Sequence, residues 1–206
     1  MNKTATRKRS FQQDFSLLAL LLIPIGVAIN FVGFQLAQVL RLPIFLDVIG
    51  TILVGVIAGP WVGLLTGLIT NSITAIFNPV YFPYVVVSMA IGVAAGLLSK
   101  AGLLRTLPKA ILSGLVITAV AVVISAPITV IFFGGATGNT SSAITATFLA
   151  TGQTIWQAVF SSTIITEIAD KVISVLIVFF IVRSISDRYL SKMKYGEQYM
   201  KRNRRK

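Results

Sequence analysis

Three ionisable side chains stand within five positions of one apolar stretch: Glu167, Asp170 and Lys171. Glu167 precedes Lys171 by four residues, the order and spacing that favour an ion pair along one helical face. A central Asp or Lys in a membrane helix costs about 2.5–3.5 kcal/mol on insertion scales, so three together need a reason. Two reasons fit the residues. One is mutual neutralisation that locks the structure; the other is a polar site for a substrate, an ion path or a membrane partner. Asp47, four residues after Pro43, is the second acidic feature. It either meets a ligand or Arg41, or favours the dipole of the helix it begins. Asn30 and Asn71 have the chemistry to hydrogen-bond a ligand or to join helices. Tyr81 and Tyr84 suit an interfacial aromatic belt or a stack on a planar ligand, and Trp156 suits stacking or the anchoring of a loop.

The residue types also exclude chemistry. The chain has no His and no Cys, which removes the commonest metal ligand and general base and any disulfide. No nucleophile is paired with a base, no metal-ligand spacing occurs, and no phosphate loop of the Walker kind is present. The run Gly134-Gly135-Ala136-Thr137-Gly138 is glycine-rich but follows an apolar stretch. The expectation is a chain without a catalytic centre, cofactor or metal, and not an enzyme.

The elements that would hold these residues are apolar. Of 206 residues, 55% are hydrophobic and 12% charged, about half the usual globular share of charge. Six apolar runs are expected to be helices: Phe15 to Leu40, Ile44 to Ala58, Trp61 to Phe77, Tyr84 to Leu98, Ala110 to Phe133 and Val159 to Val182. A span needs about 20 apolar residues, so the fold class is all-α integral membrane, a six-transmembrane-helix bundle. The first run follows a basic segment and is read as a retained helix, not a signal peptide.

Charge sets the orientation. Lys and Arg crowd the first nine residues, the loop holding Lys100, Arg105 and Lys109, and the segment from Arg183 onward. Six crossings place all three groups on one side and leave Arg41 alone on the other, which predicts an N-in/C-in topology at the plasma membrane. The net charge of +12 is then an inner-face feature that meets anionic lipid, not nucleic acid. The chain divides into a basic cytoplasmic segment at 1–14, a membrane domain at 15–184 and a basic cytoplasmic tail at 185–206. The outer connection at 134–157 is long enough to be a lid or a flexible linker, with a short interfacial segment at Ala143–Leu149.

Small residues recur at close-packing spacings. Gly55 and Gly59, Gly63 and Gly67, and Gly92 and Gly96 are each four apart, and Gly26 and Gly33 lie on the first helix. Such positions allow helix backbones to approach closely, within the bundle or against a partner.

Three segments together carry a resemblance. They are Leu42-Pro43-Ile44-Phe45-Leu46-Asp47-Val48-Ile49-Gly50-Thr51, Ala58-Gly59-Pro60-Trp61-Val62-Gly63, and Gly92-Val93-Ala94-Ala95-Gly96 ahead of a basic loop. In order, spacing and size the chain, from about residue 15 to 190, resembles the substrate-binding S component of an energy-coupling factor (ECF) vitamin transporter, of the riboflavin-type and uncharacterised group. The resemblance implies a binding subunit that takes a vitamin beneath its outer loops and works with a membrane coupling protein and two cytoplasmic ATPases. A riboflavin-like heterocycle or cobalamin would be the substrate. Asn30, Asp47, Asn71, Tyr81, Tyr84, Trp156, Glu167 and Lys171 are the candidate binding residues, chosen on depth and polarity. The family's Ala-x-x-x-Ala docking pattern is not reproduced: helix one has Ala19, Gly26, Ala28 and Gly33 but no alanines four apart. Two other functions compete. A stand-alone secondary transporter would use the charged cluster as an ion relay, and a membrane-embedded lipid enzyme would use its carboxylates.

Overall fold

In the computed structural model, which describes residues 15–201, helix starts where a cap allows it. The Ser16 hydroxyl accepts the Ala19 amide and α1 runs Leu17–Val39. Helices α2 (Ile49–Ala58) and α3 (Pro60–Phe77) are separated by Gly59 alone. Gly59 holds φ at 111°, a conformation that glycine adopts without penalty, and Pro60 opens the next helix where its missing N–H costs nothing. A 3-10 turn at Pro79–Tyr84 leads into α4 (Val85–Lys100). Then come α5 (Leu107–Phe133), α6 (Thr140–Ala150) and α7 (Ile155–Ser184). A single turn, α8 (Asp187–Leu190), and a 3-10 turn at Glu197–Tyr199 complete the described chain. The described residues contain no strand.

The all-α membrane class follows. Leu17–Val39, Pro60–Phe77, Pro79–Lys100 and Leu107–Phe133 are long and apolar enough to cross a bilayer. The other two expected crossings differ for separate reasons. Helix α7 has 30 residues, about 45 Å at 1.5 Å each, but carries Glu167, Asp170 and Lys171 mid-length. Helix α2 has only ten residues, and every one is buried.

Several boundaries move from the sequence expectation. Helix α2 begins at Ile49 instead of Ile44, because residues 45 and 46 are held outside helical geometry by a side chain described below. Helix α5 reaches back to Leu107 because Pro108 is tolerated in a first turn. Helix α7 starts at Ile155, set by a capping box in which the Thr154 hydroxyl accepts the Gln157 amide and the Gln157 side chain accepts the Thr154 amide. The connection at 134–157 contains a full helix, α6, longer than the expected Ala143–Leu149 segment.

Helix α2 sits at the centre, touching α1, α3, α4 and α7, while α5 packs along α7 and α3 along α4. Glycines let these backbones meet. A Cβ added at Gly92 would strike the Gly63 carbonyl, one at Gly50 the Gly26 backbone, and one at Gly96 Pro60. Gly33 lies against the Leu46 carbonyl, Gly67 against Ser88, and a Cβ at Gly55 would come within 2.8 Å of the Gly92 oxygen. Asn30, fully buried, ties the same region together. Its amide donates to Thr51 Oγ1 (2.8 Å) and Thr70 Oγ1 (2.9 Å). Its oxygen accepts the Gly50 and Thr51 amides, so α1 supplies the N-terminal cap that α2 lacks in its own sequence.

The segment after α7 also packs. Leu190, Met193, Tyr199 and Met200 are buried. The Tyr199 hydroxyl lies 2.8 Å from Ser99 Oγ, which in turn donates to the Val56 carbonyl at 2.7 Å. Burial pushes the Tyr199 pKa up to about 12 against the opposing pull of the Ser99 bond and of Arg105. The described part of the 185–206 segment is therefore docked on the bundle rather than free in solvent. The expected basic segment at 1–14 and the last residues, 202–206, lie outside the described residues.

Candidate functional site

Three connections meet at one end of the bundle: 40–48, 78–84 and 134–154. The loop holding Lys100 and Arg105 and the docked C-terminal segment lie at the other end. Between the three connections is a cavity. Its lining includes Phe45, Asp47, Tyr81, Tyr84, Ser88, Ser125, Thr129, Thr145, Ser162, Thr166, Glu167 and Lys171. About 70 Å³ of it is free for the centres of water-sized molecules, and the space between its atoms comes to about 740 Å³ when the open mouth is counted. The smaller figure is the one that compares with cavity volumes, and it says that the walls are close together.

Helix α7 supplies the charge. Lys171 Nζ lies 3.1 Å from Glu167 Oε2 and bonds Asp170 Oδ2. The ring of Phe45 covers the same ammonium, 5.9 Å from its centroid. Asp170 does more than neutralise Lys171. Its other oxygen accepts the backbone amides of Phe45 (3.0 Å) and Leu46 (2.8 Å). Leu46 is held there at φ 53°, an unfavourable conformation for a branched side chain. One carboxylate on α7 thus pins the loop that carries Asp47 and Phe45 into the cavity.

Asp47 is placed differently. It forms no ion pair with Arg41 among the described residues, and its Oδ1 is buried without a hydrogen-bonding partner in the protein. Ser125 Oγ, on α5, shares that condition in the same lining. Buried polar atoms are nearly always paired, so two such atoms on one cavity wall mark a surface built for something other than self-contact.

Helix α6 roofs the cavity. Asn139 caps it by accepting the Ser142 amide, and Thr137, Asn139, Ser141, Ser142 and Thr145 face the cavity. Thr145 Oγ1 lies 2.7 Å from Ser162 Oγ on α7, joining roof to wall. Gly138 and Gly152 flank α6 at φ 77° and 85°, each with open space where a side chain would be. The Thr145–Ser162 bond ties the roof at its centre and the two glycines flank it, which suits a segment that moves as a unit.

Of the eight candidate residues, Asp47, Tyr81, Tyr84, Glu167 and Lys171 line the cavity. Tyr81 receives a bond from Gln38 at 3.3 Å, and the Tyr84 hydroxyl is 2.7 Å from Thr129 Oγ1. Asn30, Asn71 and Trp156 are elsewhere. Asn30 is used up in capping α2, and Asn71 accepts a bond from Ser88 Oγ at 2.8 Å, from behind the wall. Trp156 is 47% exposed and stacks near Phe160. The sequence reading overlooked the hydroxyl lining. Its signal was present as a polar stripe through an apolar helix: Ser162, Thr163, Thr166, Glu167, Asp170, Lys171 and Ser174 recur at spacings of three and four. Ser125 and Thr129 repeat the pattern on α5.

Residues 18–182 match the family model described as ECF transporter, substrate-specific component. No curated protein and no solved structure matches the chain.

Proposed function

Because the chain belongs to the family of substrate-specific components of ECF transporters, we propose that it is the binding subunit of a micronutrient importer and that the cavity beneath α6 is its substrate site. The observation that carries this reading is the pair of unpartnered buried polar atoms, Asp47 Oδ1 and Ser125 Oγ, on a hydroxyl-rich wall at the end of the bundle away from its basic loop. The substrate is a compact planar heterocycle of vitamin size. The close walls suit a single ring system between Tyr81, Tyr84 and the α7 wall rather than a corrinoid such as cobalamin. The cavity faces outward and both termini lie inside, since the basic residues then share the cytoplasmic face. In this reading α7 crosses with its charges turned into the bundle. Helix α2 crosses with the loop at 41–48 completing its length. A membrane coupling protein and two cytoplasmic ATPases complete the importer.

Reconstitution tests the role. Liposomes holding this chain, the coupling protein and both ATPases should import substrate on ATP hydrolysis, and omission of this chain should abolish import. Import by this chain alone under an ion gradient would instead establish the stand-alone transporter.

The roof gives a second test. The native chain has no cysteine, so Thr145→Cys with Ser162→Cys places a single thiol pair where two hydroxyls now lie 2.7 Å apart. Oxidation should slow substrate exchange at least about tenfold if closing segments gate release, and reductant should restore it. Equal exchange rates in the oxidised and reduced protein would show that α6 does not gate the site.

A further inference from the structure

Resting on the reading of this cavity as a substrate site, we infer that its substrate is a cation: a planar nitrogen heterocycle or amine that is protonated or quaternary at neutral pH. The inference comes from the charges that meet in the cavity wall. Three acidic side chains, Asp47 and Glu167 in the lining and Asp170 behind it, stand near one ammonium, that of Lys171. That ammonium is fully engaged by Asp170, Glu167 and the Phe45 ring. Asp170 is likewise consumed, by Lys171 and two backbone amides. The arrangement leaves Asp47 facing the cavity with an unpartnered oxygen, and Glu167 sharing the one cation.

An uncompensated carboxylate away from water is costly, and an opposite charge within a few ångströms relieves it. The beginning of α2, two residues beyond Asp47, offers the partial positive charge of a helix terminus, and Lys171 acts on Asp47 as a cation already shared with Asp170 and Glu167. The rest of the lining adds hydroxyls, which accept as well as donate, and the aromatic rings of Tyr81 and Tyr84. Aromatic faces beside carboxylates recognise planar cations and disfavour anions. No second basic side chain lines the cavity among the described residues, so an anionic substrate would find its one counter-charge already paired.

Three near-isosteric planar probes separate the possibilities: benzamidinium, benzamide and benzoate. Each is added to the purified wild-type chain in detergent, and affinity is read by calorimetry. Benzamidinium should bind at least about tenfold more tightly than benzamide, the order expected for one buried charge pair, and benzoate should not bind. Asp47→Asn should lower benzamidinium affinity by a similar factor while changing benzamide less than about twofold. The wild-type ranking stands by itself if that variant does not fold. Equal or better binding of benzamide or benzoate overturns the inference, as does failure of all three to bind. Import by the reconstituted four-component assembly reads the subunit role separately, so a neutral or anionic substrate carried by that assembly would refute the charge preference and leave the role intact.

Discussion

Asp170→Ala is expected to lower stability by about 3–5 kcal/mol, the scale for breaking a buried ion pair by removing one partner. The substitution does two kinds of damage. Lys171 loses the partner that Glu167 alone does not replace, and the amides of Phe45 and Leu46 lose their acceptor. The second loss releases the strained backbone at Leu46, so the loop bearing Asp47 should leave the cavity. Asp170→Asn retains an oxygen for the two amides but not the charge, and should fall between wild type and Ala. Thermal unfolding in detergent checks the order. An unchanged midpoint for Asp170→Ala would mean that this carboxylate does not hold the loop.

Lys171→Met should be of similar size, about 3–5 kcal/mol, for the opposite reason. It leaves Asp47, Glu167 and Asp170 together without a cation, a like-charge cluster away from water. The diagnostic result is recovery. Combining Lys171→Met with Asp170→Asn and Glu167→Gln removes the cation together with its two closest carboxylates and leaves Asp47 the one charge of the cluster, and replacement of buried ion pairs by neutral groups is often nearly neutral for stability. The triple variant should therefore regain most of the lost midpoint while losing substrate affinity. A triple variant no more stable than Lys171→Met would show that the cluster's electrostatics do not govern this part of the fold.

The charged cluster is only partly legible in the amino-acid sequence. Glu167 and Lys171 were legible as an ion pair because helical spacing alone brings residues four apart together. Asp170 was not legible as the anchor of residues 45 and 46, since that contact spans more than 120 positions and joins a side chain to backbone. The same gap displaced the start of α2. An apolar run reads as helix, and only the tertiary bonds of Asp170 show why residues 44–48 are not. Asn30 illustrates the converse. Its polarity within an apolar helix was conspicuous, but polarity does not distinguish a ligand contact from a cap lent to a neighbouring helix. Close packing at Gly63 and Gly92 was visible as spacing, whereas which backbones touch depended on topology. The serines and threonines of the cavity were overlooked because each is unremarkable singly. Their meaning lies in the stripe they form along α7 and α5.

The central claim is that the cavity beneath α6 holds one small molecule. Native mass spectrometry of the chain extracted in detergent and exposed to a mixture of vitamins tests it most directly, with Ser125→Phe as the control. Ser125 Oγ has no hydrogen-bonding partner to lose, and a ring at that position projects into the cavity. The wild-type chain should carry a single stoichiometric adduct of one small molecule, and the folded Ser125→Phe variant should carry none. The same adduct on both proteins, or none on the wild type, would contradict the assignment of the site.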